Sequence, residues 1–244
     1  MKASSCLTGN GASPIVSCAT KALKKELRAT MRKRLKSLSS EQKRAESLWL
    51  QNTLRQDPIF ARSKHVALYI SMPEEEVDTI PLLRHLLSEG QKVCYVPHIF
   101  KDSSVDEIRM LKVESEKDFA SFVANKWGIL EPPVHTLQTR TDTLKEGGDL
   151  DLIIVPGLAF DTNGRRLGRG KGYYDSFFAK CQRIMQQRQK PMPHLVGICF
   201  STQMVEEVPV APYDYLLDRV LFCPPNMASP RPLQVDKPAP TDEP

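Results

Sequence analysis

The sequence predicts a single α/β domain, and three observations indicate this class. Apolar runs typical of buried strands lie at 65–70 and 93–97, with a helical pattern at 80–89 between them. This strand–helix–strand order favours parallel pairing through a right-handed crossover. A glycine-rich segment follows another apolar run, 152–156, and open α/β sheets bind ligands beyond such strand ends. The 244 residues, of which 41% are hydrophobic and 26% charged, are sufficient for one such domain.

The first element is predicted to be a helix over 21–38. Its apolar face is formed by Leu23, Leu27, Met31, Leu35 and Leu38. Another face carries Lys21, Lys24 or Lys25, Arg28 and Arg32. The usual interpretation of such a basic face is charge exposed to solvent. Ser39, followed three residues later by Gln42, resembles a capping box that begins a second helix over about 40–55.

The remaining elements follow in order along the chain. Gly90 is placed to end the helix at 80–89 because glycine readily adopts a left-handed conformation. Residues 110–113 suggest another strand, and 127–133 are rich in turn residues. After the glycine-rich segment we expect a helix from Tyr174 to about 189. Strands are expected at 195–200 and 219–223.

Both ends of the chain are expected to be disordered, which leaves one domain over 21–223. Residues 1–20 are serine-rich, free of acid and without the apolar core of a secretory signal. A cytoplasmic location is predicted, and a weak similarity of 1–20 to a transit peptide leaves mitochondrial import as the alternative. Residues 224–244 are polar and proline-rich. No apolar stretch reaches the ~20 residues of a membrane helix, so no membrane association is expected.

Cysteine and histidine spacing argues against a zinc site. The six cysteines form no CxxC pair, and the five histidines show no HxxxH or HxxEH spacing. We therefore expect reduced thiols in an intracellular protein.

The segment 156–175 is the most informative for function. Its second half reads Gly168-Arg-Gly-Lys-Gly-Tyr-Tyr-Asp175. Glycines let the backbone approach a ligand closely, and arginine and lysine suit phosphate. The spacing excludes a Walker loop, because Lys171 is followed by Gly172, and it also excludes the dinucleotide fingerprint. The alternative interpretation is a flexible basic surface loop.

Nearby carboxylates suggest a bound metal ion. Asp175 could hold Mg²⁺, which binds proteins through one or two carboxylates plus phosphate oxygens and waters. Asp214 and Asp218 are candidates for a second ligand, since their four-residue spacing shares one face of a helix. Either residue equally suits an N-cap or a surface position. The residues together predict a site for a nucleoside triphosphate and magnesium.

Several segments occur together in the order of a known family. They are Lys24–Arg28, Arg34–Arg44, Ser71–Thr79, Gly128–Pro132, Pro156–Asp161, Gly164, Arg166–Asp175, and Pro212–Asp214 with Asp218. Over 21–223 the chain resembles the 5-formyltetrahydrofolate cyclo-ligases, also called methenyltetrahydrofolate synthetases. The resemblance implies a three-layer α/β/α sandwich with a mostly parallel central sheet, similar to phosphosugar isomerases and CoA transferases.

The resemblance also implies the reaction and its participants. ATP, as co-substrate, and Mg²⁺ drive cyclisation of 5-formyltetrahydrofolate to 5,10-methenyltetrahydrofolate, with release of ADP and phosphate, in one-carbon metabolism. The formyl oxygen attacks the γ-phosphate, and the N10 amine then closes the ring as phosphate leaves. The expected protein is a monomer that binds only small molecules, including folates with a polyglutamate tail, and no nucleic acid.

Site residues are carried over position by position from this resemblance. The implied ATP contacts are Lys24, Arg28, Arg166, Leu167, Gly168, Arg169, Gly170, Lys171, Gly172, Tyr173 and Tyr174. The implied folate contacts are Arg28, Ile70, Glu76, Arg169, Gly170, Lys171, Gly172 and Tyr173. Lys171 and Arg169 are the implied catalytic residues, and Asp175 and Asp214 the implied metal ligands. Spacing favours Glu76 over Glu75 as the pterin contact, and adjacency to Leu167 favours Arg166 over Arg165.

Two other function classes stay open at this stage. An RNA-binding module could use the two basic clusters, although only 7% of residues are aromatic and they form no stacking pattern. A phosphosugar-type isomerase could have a similar fold and would need a carboxylate base but no ATP. Dependence on a nucleotide therefore separates this second class from a cyclo-ligase.

Overall fold

The computed structural model describes residues 14–101, 106–145 and 148–224, so most of both expected disordered ends lies outside the described residues. The helices are α1 (Pro14–Ser37), α2 (Ser40–Arg55), α3 (Pro58–Arg62), α4 (Ile80–Glu89), α5 (Glu116–Ala120) and α6 (Tyr173–Gln187), with short 3₁₀ turns at Val134–Thr136 and Ser201–Gln203. The strands are β1 (His65–Leu68), β2 (Val93–Phe100), β3 (Glu107–Val113), β4 (Val123–Ala124), β5 (Leu130–Glu131), β6 (Leu152–Val155), β7 (Ala159–Phe160), β8 (Arg166–Leu167), β9 (His194–Cys199) and β10 (Arg219–Phe222).

A six-stranded sheet in the order β10-β9-β6-β1-β2-β3 forms the centre of the domain. Its pairs are parallel except β2 with β3, which run antiparallel. All four residues of β6 are buried, as expected for a strand covered on both faces. Leu152 and Ile154 pack in one hydrophobic cluster with Met31 of α1, whereas Ile153 and Val155 pack in the other with Phe178 of α6. The expected three-layer α/β fold with a mostly parallel sheet is therefore confirmed.

The first helices follow the sequence pattern with two differences. Helix α1 begins at Pro14, inside the segment 1–20 that was expected to be disordered. Proline is tolerated in the first turn of a helix, and no further proline or glycine interrupts the residues that follow. Ser39 caps α2 by accepting a hydrogen bond from the Gln42 amide at 3.1 Å. The Gln42 side chain donates to Glu46 instead, so only half of the predicted capping box is present.

Residues 212–218 do not form the helical turn that would place Asp214 and Asp218 on one face. The Asp214 carboxylate accepts the amide of Ala211 at 2.6 Å, a local bond that competes with helix formation. Asp218 instead accepts the Leu195 amide at 2.7 Å and ties this loop to β9. The structure thus separates the two aspartates and assigns Asp218 a structural contact.

The glycine-rich segment connects the sheet to α6. Strands β7 and β8 form a small antiparallel hairpin after β6, and the segment 168–172 joins this hairpin to α6. Gly170 and Gly172 have φ values of 104° and 72°, a region that favours glycine. Gly172 is also the N-cap of α6, so main-chain amides converge where this helix begins. Among the described residues, no helix is long and apolar enough to cross a membrane.

Candidate nucleotide and carboxylate site

A cavity of about 550 Å³ opens where α1, the segment 168–172, α6 and the loop before β10 meet. It is lined by Lys21, Lys24, Arg28, Arg166, Leu167, Gly168, Gly170, Gly172, Asp175, Ser176, Ala179, Tyr213 and Asp214. The fold therefore brings α1 and the loop before β10, which are far apart in sequence, to the glycine-rich segment. This set contains most of the residues predicted to contact ATP and both predicted metal ligands.

Helix α1 contributes two cations to the cavity. Lys24 is only 7% exposed and forms an ion pair with Asp214, whereas Lys25 is exposed. The Arg28 Nε donates to the carbonyl of Gly168 at 2.9 Å. Burial lowers the pKa of the Arg28 guanidinium from its ordinary value. The interpretation of this helix face as solvated charge is thus wrong for Lys24 and Arg28, which turn towards the glycine-rich segment.

Arg166 is the most enclosed cation of the cavity. Its Nη2 donates to Asp175 Oδ2 at 3.0 Å, and its guanidinium lies 5.5 Å from the ring centroid of Tyr174. Its buried Nε has no hydrogen-bond partner among the residues that the structure describes. An unsatisfied buried donor is costly, and an anionic oxygen would remove this cost. The neighbouring Arg165 pairs instead with Glu207 at 2.6 Å and does not line the cavity.

Asp175 and Asp214 supply the carboxylates of the cavity. Each is neutralised by one cation, Arg166 for Asp175 and Lys24 for Asp214. Within the described ranges, no cluster of three or more histidine, cysteine or acidic side chains could hold a metal. A pair of carboxylates with phosphate oxygens and waters is the set of ligands that Mg²⁺ prefers, so these residues fit that ion.

A second cluster surrounds Arg169, which lies between two glycines that line the cavity. Its Nη1 donates to Glu75 Oε2 at 2.7 Å, and its Nη2 donates to Glu76 Oε1 at 3.1 Å. Burial opposes the charge on Arg169, but the two carboxylates raise the pKa of the guanidinium above its ordinary value. Glu74 points elsewhere, is 64% exposed and pairs with Lys43. The segment 168–172 therefore contacts the cavity through its glycines and the acidic cluster through Arg169.

Glu76 is the enclosed carboxylate of this acidic cluster. Its side chain is 11% exposed and also accepts the Met72 amide at 2.9 Å. Burial raises the pKa of Glu76 above its ordinary value, although Arg169 opposes this change. Burial, with Glu76 contributing, likewise raises the pKa of the Tyr174 hydroxyl. Ile70 is buried just after β1. A carboxylate beside aromatic and apolar groups suits a planar ligand that donates N–H hydrogen bonds.

Some predicted contacts lie outside the cavity lining, and some lining residues were missed. Arg169, Lys171, Tyr173 and Tyr174 do not line it; Lys171 is exposed and Tyr173 donates to Asp106 at 2.9 Å. Lys21, Ser176, Ala179 and Tyr213 line it without having been predicted as ligands. Lys21 precedes Lys24 by three residues on the same helix face, a signal the sequence contained. Tyr213 lies inside the family segment Pro212–Asp214 but was assigned no role, and no pattern marked Ser176 or Ala179.

The raised pKa of Glu76 predicts a specific pH dependence of stability. The folded-state pKa of Glu76 exceeds the ordinary value of 4.5. The contribution of Glu76 to folding stability is therefore fully present below pH 4.5 and is lost as pH rises through the raised pKa. The quantity to follow is the melting temperature of the unsubstituted protein minus that of Glu76→Gln. We expect this difference to fall as pH rises. A ten-fold difference in proton affinity between the folded and unfolded states corresponds to about 1.4 kcal/mol. Thermal melts between pH 4 and 8 would check this.

Glu74→Gln provides the matched control for this experiment. Hydrogen bonds from Lys43 and Ser40 lower the pKa of Glu74, so its contribution is present above the ordinary pKa and is lost as pH falls. The difference for this exposed residue should therefore be small and change in the opposite direction. A Glu76→Gln difference that stays flat or rises with pH would contradict the raised pKa of Glu76.

Comparison with known proteins gives a consistent result. The model of the 5-formyltetrahydrofolate cyclo-ligase family matches residues 20–223. The mouse 5-formyltetrahydrofolate cyclo-ligase is 34% identical over 200 residues, which cover 82% of this chain and 93% of the mouse protein. The mitochondrial cyclo-ligase of Arabidopsis thaliana is 37% identical, covering 81% and 73%. The solved structure of Aquifex aeolicus 5,10-methenyltetrahydrofolate synthetase has a TM-score of 0.61 at 34% identity, covering 82% and 89%.

Proposed function

Because the chain belongs to the 5-formyltetrahydrofolate cyclo-ligase family, we propose that it converts 5-formyltetrahydrofolate to 5,10-methenyltetrahydrofolate with ATP, releasing ADP and phosphate. The observation that carries this proposal is the position of the segment 168–172. Gly168, Gly170 and Gly172 line a cavity that contains cations and two aspartates, while Arg169 reaches Glu75 and Glu76. One short segment can thus contact a triphosphate and a folate at the same time.

The cavity side of the segment suits the triphosphate. Lys24, Arg28 and Arg166 would neutralise phosphate oxygens, and main-chain amides where α6 begins would add hydrogen bonds. Arg166 Nε, which lacks a partner among the described residues, would gain one. Phosphoryl transfer is catalysed mainly by positioning and charge neutralisation, so no nucleophilic side chain is required.

The Glu76 side of the segment suits the folate. The enclosed Glu76 carboxylate would accept hydrogen bonds from the amino and ring N–H groups of the pterin, and Ile70 would supply an apolar contact. Arg28, Tyr173 and the segment 169–172 would face both ligands. Held there, the formyl oxygen attacks the γ-phosphorus and ADP departs. The N10 amine then attacks the activated carbon and loses its proton, the ring closes, and phosphate carries away the former formyl oxygen.

Asp175 and Asp214 would hold Mg²⁺ together with phosphate oxygens of ATP. When bound, the ion would neutralise phosphate charge during the transfer. We expect Asp214→Asn to raise the half-saturating Mg²⁺ concentration for turnover about ten-fold to a hundred-fold, because one charged ligand is lost. A magnesium titration at fixed ATP would measure this. Asp218→Asn is the control, and an equal effect there, or none at Asp214, would contradict the assignment.

The proposed activity is tested by one assay. The purified protein is mixed with 5-formyltetrahydrofolate, Mg²⁺ and ATP, and formation of the methenyl product is followed by its near-ultraviolet absorbance while ADP is measured in parallel. Product should appear only with ATP, in equal amount to ADP. No product, or product formed without nucleotide, would reject the proposal.

Two further properties belong to this proposal. A monomer is proposed, and light scattering after gel filtration tests this. A cytoplasmic location is proposed, and the mitochondrial name of the Arabidopsis relative supports import through residues 1–20 as the alternative. Imaging a carboxyl-terminal fluorescent fusion separates the two locations.

A further inference from the structure

Tyr213 is an aromatic residue that lines the cavity and has no role in the reaction described so far. It belongs to the loop before β10 and is 61% exposed, unlike most aromatic residues of this domain. An exposed ring at a ligand cavity is a favourable surface for another planar group.

The chemistry of the cavity lining separates into two parts. The cations and glycines come from α1 and from the hairpin and segment that precede α6, and they suit phosphates. Apart from Leu167 and the glycines, the uncharged lining residues are Ser176 and Ala179 of α6 and Tyr213, which lie next to Asp175 and Asp214 in the lining. Ala179 lies seven residues after Gly172, or roughly 10 Å along the helix axis. A nucleoside triphosphate that places its charges near the glycines therefore has an uncharged wall left for its base.

The backbone beside Tyr213 is held by contacts of Asp214. Asp214 accepts the Ala211 amide at 2.6 Å and forms an ion pair with Lys24. The Lys24 Nζ lies 5.5 Å from the Tyr213 ring centroid. The lysine that would bind phosphate thus also lies near the aromatic ring, so the ring borders the cavity close to the phosphate-binding cations.

We infer that Tyr213 is the stacking platform for the purine base of the nucleotide, in a subsite completed by Ser176 and Ala179. This inference rests on the proposed function and adds the subsite that recognises the base. Stacking uses the face of the ring and not the hydroxyl group. Tyr213→Phe therefore keeps the subsite, whereas Tyr213→Ala removes it.

The test compares two ligands that differ only in the presence of the nucleoside. Binding of ATP and of inorganic tripolyphosphate, each with Mg²⁺, is measured by titration calorimetry. In Tyr213→Ala we expect the Kd for ATP to rise about ten-fold to a hundred-fold, the range that base–aromatic stacking gives. The Kd for tripolyphosphate should stay within about two-fold, and Tyr213→Phe should bind both ligands like the unsubstituted protein.

Leu216→Ala is the matched control, because Leu216 lies in the same loop, is 58% exposed and does not line the cavity. It should leave both Kd values unchanged. Unchanged ATP binding in Tyr213→Ala overturns the inference and leaves the proposed function standing. Equal weakening of ATP and tripolyphosphate also overturns it, since Tyr213 would then act on the phosphate end. Absence of ATP binding by the unsubstituted protein overturns both the inference and the proposed function.

Discussion

Replacing Lys171 by alanine should lower kcat for methenyl formation roughly 10²–10³-fold. The side chain is exposed between Gly170 and Gly172, so its removal leaves no hole in the hydrophobic core. Its ammonium group would stabilise the charge that develops on the transferred phosphoryl group, and such charge stabilisation is usually the largest catalytic contribution. The thermal unfolding midpoint should stay unchanged, which separates loss of catalysis from loss of fold.

The control for Lys171 is Lys25→Ala, another exposed lysine, which lies beside Lys24 on α1 and does not line the cavity. It should retain full turnover. Lys171→Arg should recover part of the rate, because it keeps the charge but places it differently. If Lys171→Ala still forms product at the unsubstituted rate, Lys171 is not catalytic, and the transition-state charge must be stabilised by Arg166, Arg169 or main-chain amides.

Replacing Glu76 by alanine should raise the KM for 5-formyltetrahydrofolate roughly 10²–10³-fold, or about 3–4 kcal/mol. Two losses combine in this effect. The pterin N–H groups would lose their acceptor, and Arg169 would keep only its contact with Glu75. Truncating one member of an enclosed charged pair is costly because the other charge is left without its partner. Initial rates at varied folate and saturating ATP give the KM.

Glu74→Ala is the matched control for this second substitution. Glu74 lies two residues away but is 64% exposed and pairs with Lys43, and surface ion pairs contribute little. Its KM for folate should stay within about two-fold. The KM for ATP in Glu76→Ala should change much less than the KM for folate. If both KM values rise equally, Glu76 supports the segment 168–172 as a whole and does not bind the pterin specifically.

Much of the fold could be predicted because its signals are local. The apolar period of α1, the strand–helix–strand order of β1, α4 and β2, and Gly90 at the end of α4 each depend on neighbouring residues. The short elements β4, β5, β7 and β8 were missed, because two-residue strands show no period. The antiparallel pairing of β3 with β2 was also not predicted. The expected strands ended at 97 and began at 110, whereas the paired strands reach Phe100 and Glu107.

The site was harder to predict because its parts are distant in sequence. Lys24 and Asp214 are 190 positions apart, and no spacing rule connects them. Asp214 was a candidate from its chemistry and again from the family resemblance, whereas Lys24 was assigned to the site only by the resemblance. Tyr213 lies in the same family segment as Asp214 but was assigned no role. Periodicity also could not choose between Lys24 and Lys25, because both fit the basic face of α1. Burial distinguishes them in the structure.

The segment 168–172 forms a partition with a different ligand environment on each side. Its glycines border the cavity, and Arg169 reaches the carboxylates across from it. If a nucleotide bound in the cavity displaces the segment 168–172, Arg169 moves as well, and the surface that the folate contacts changes. Thermodynamic reciprocity then requires that any gain in affinity which the nucleotide confers on the folate is matched by an equal gain in the opposite direction.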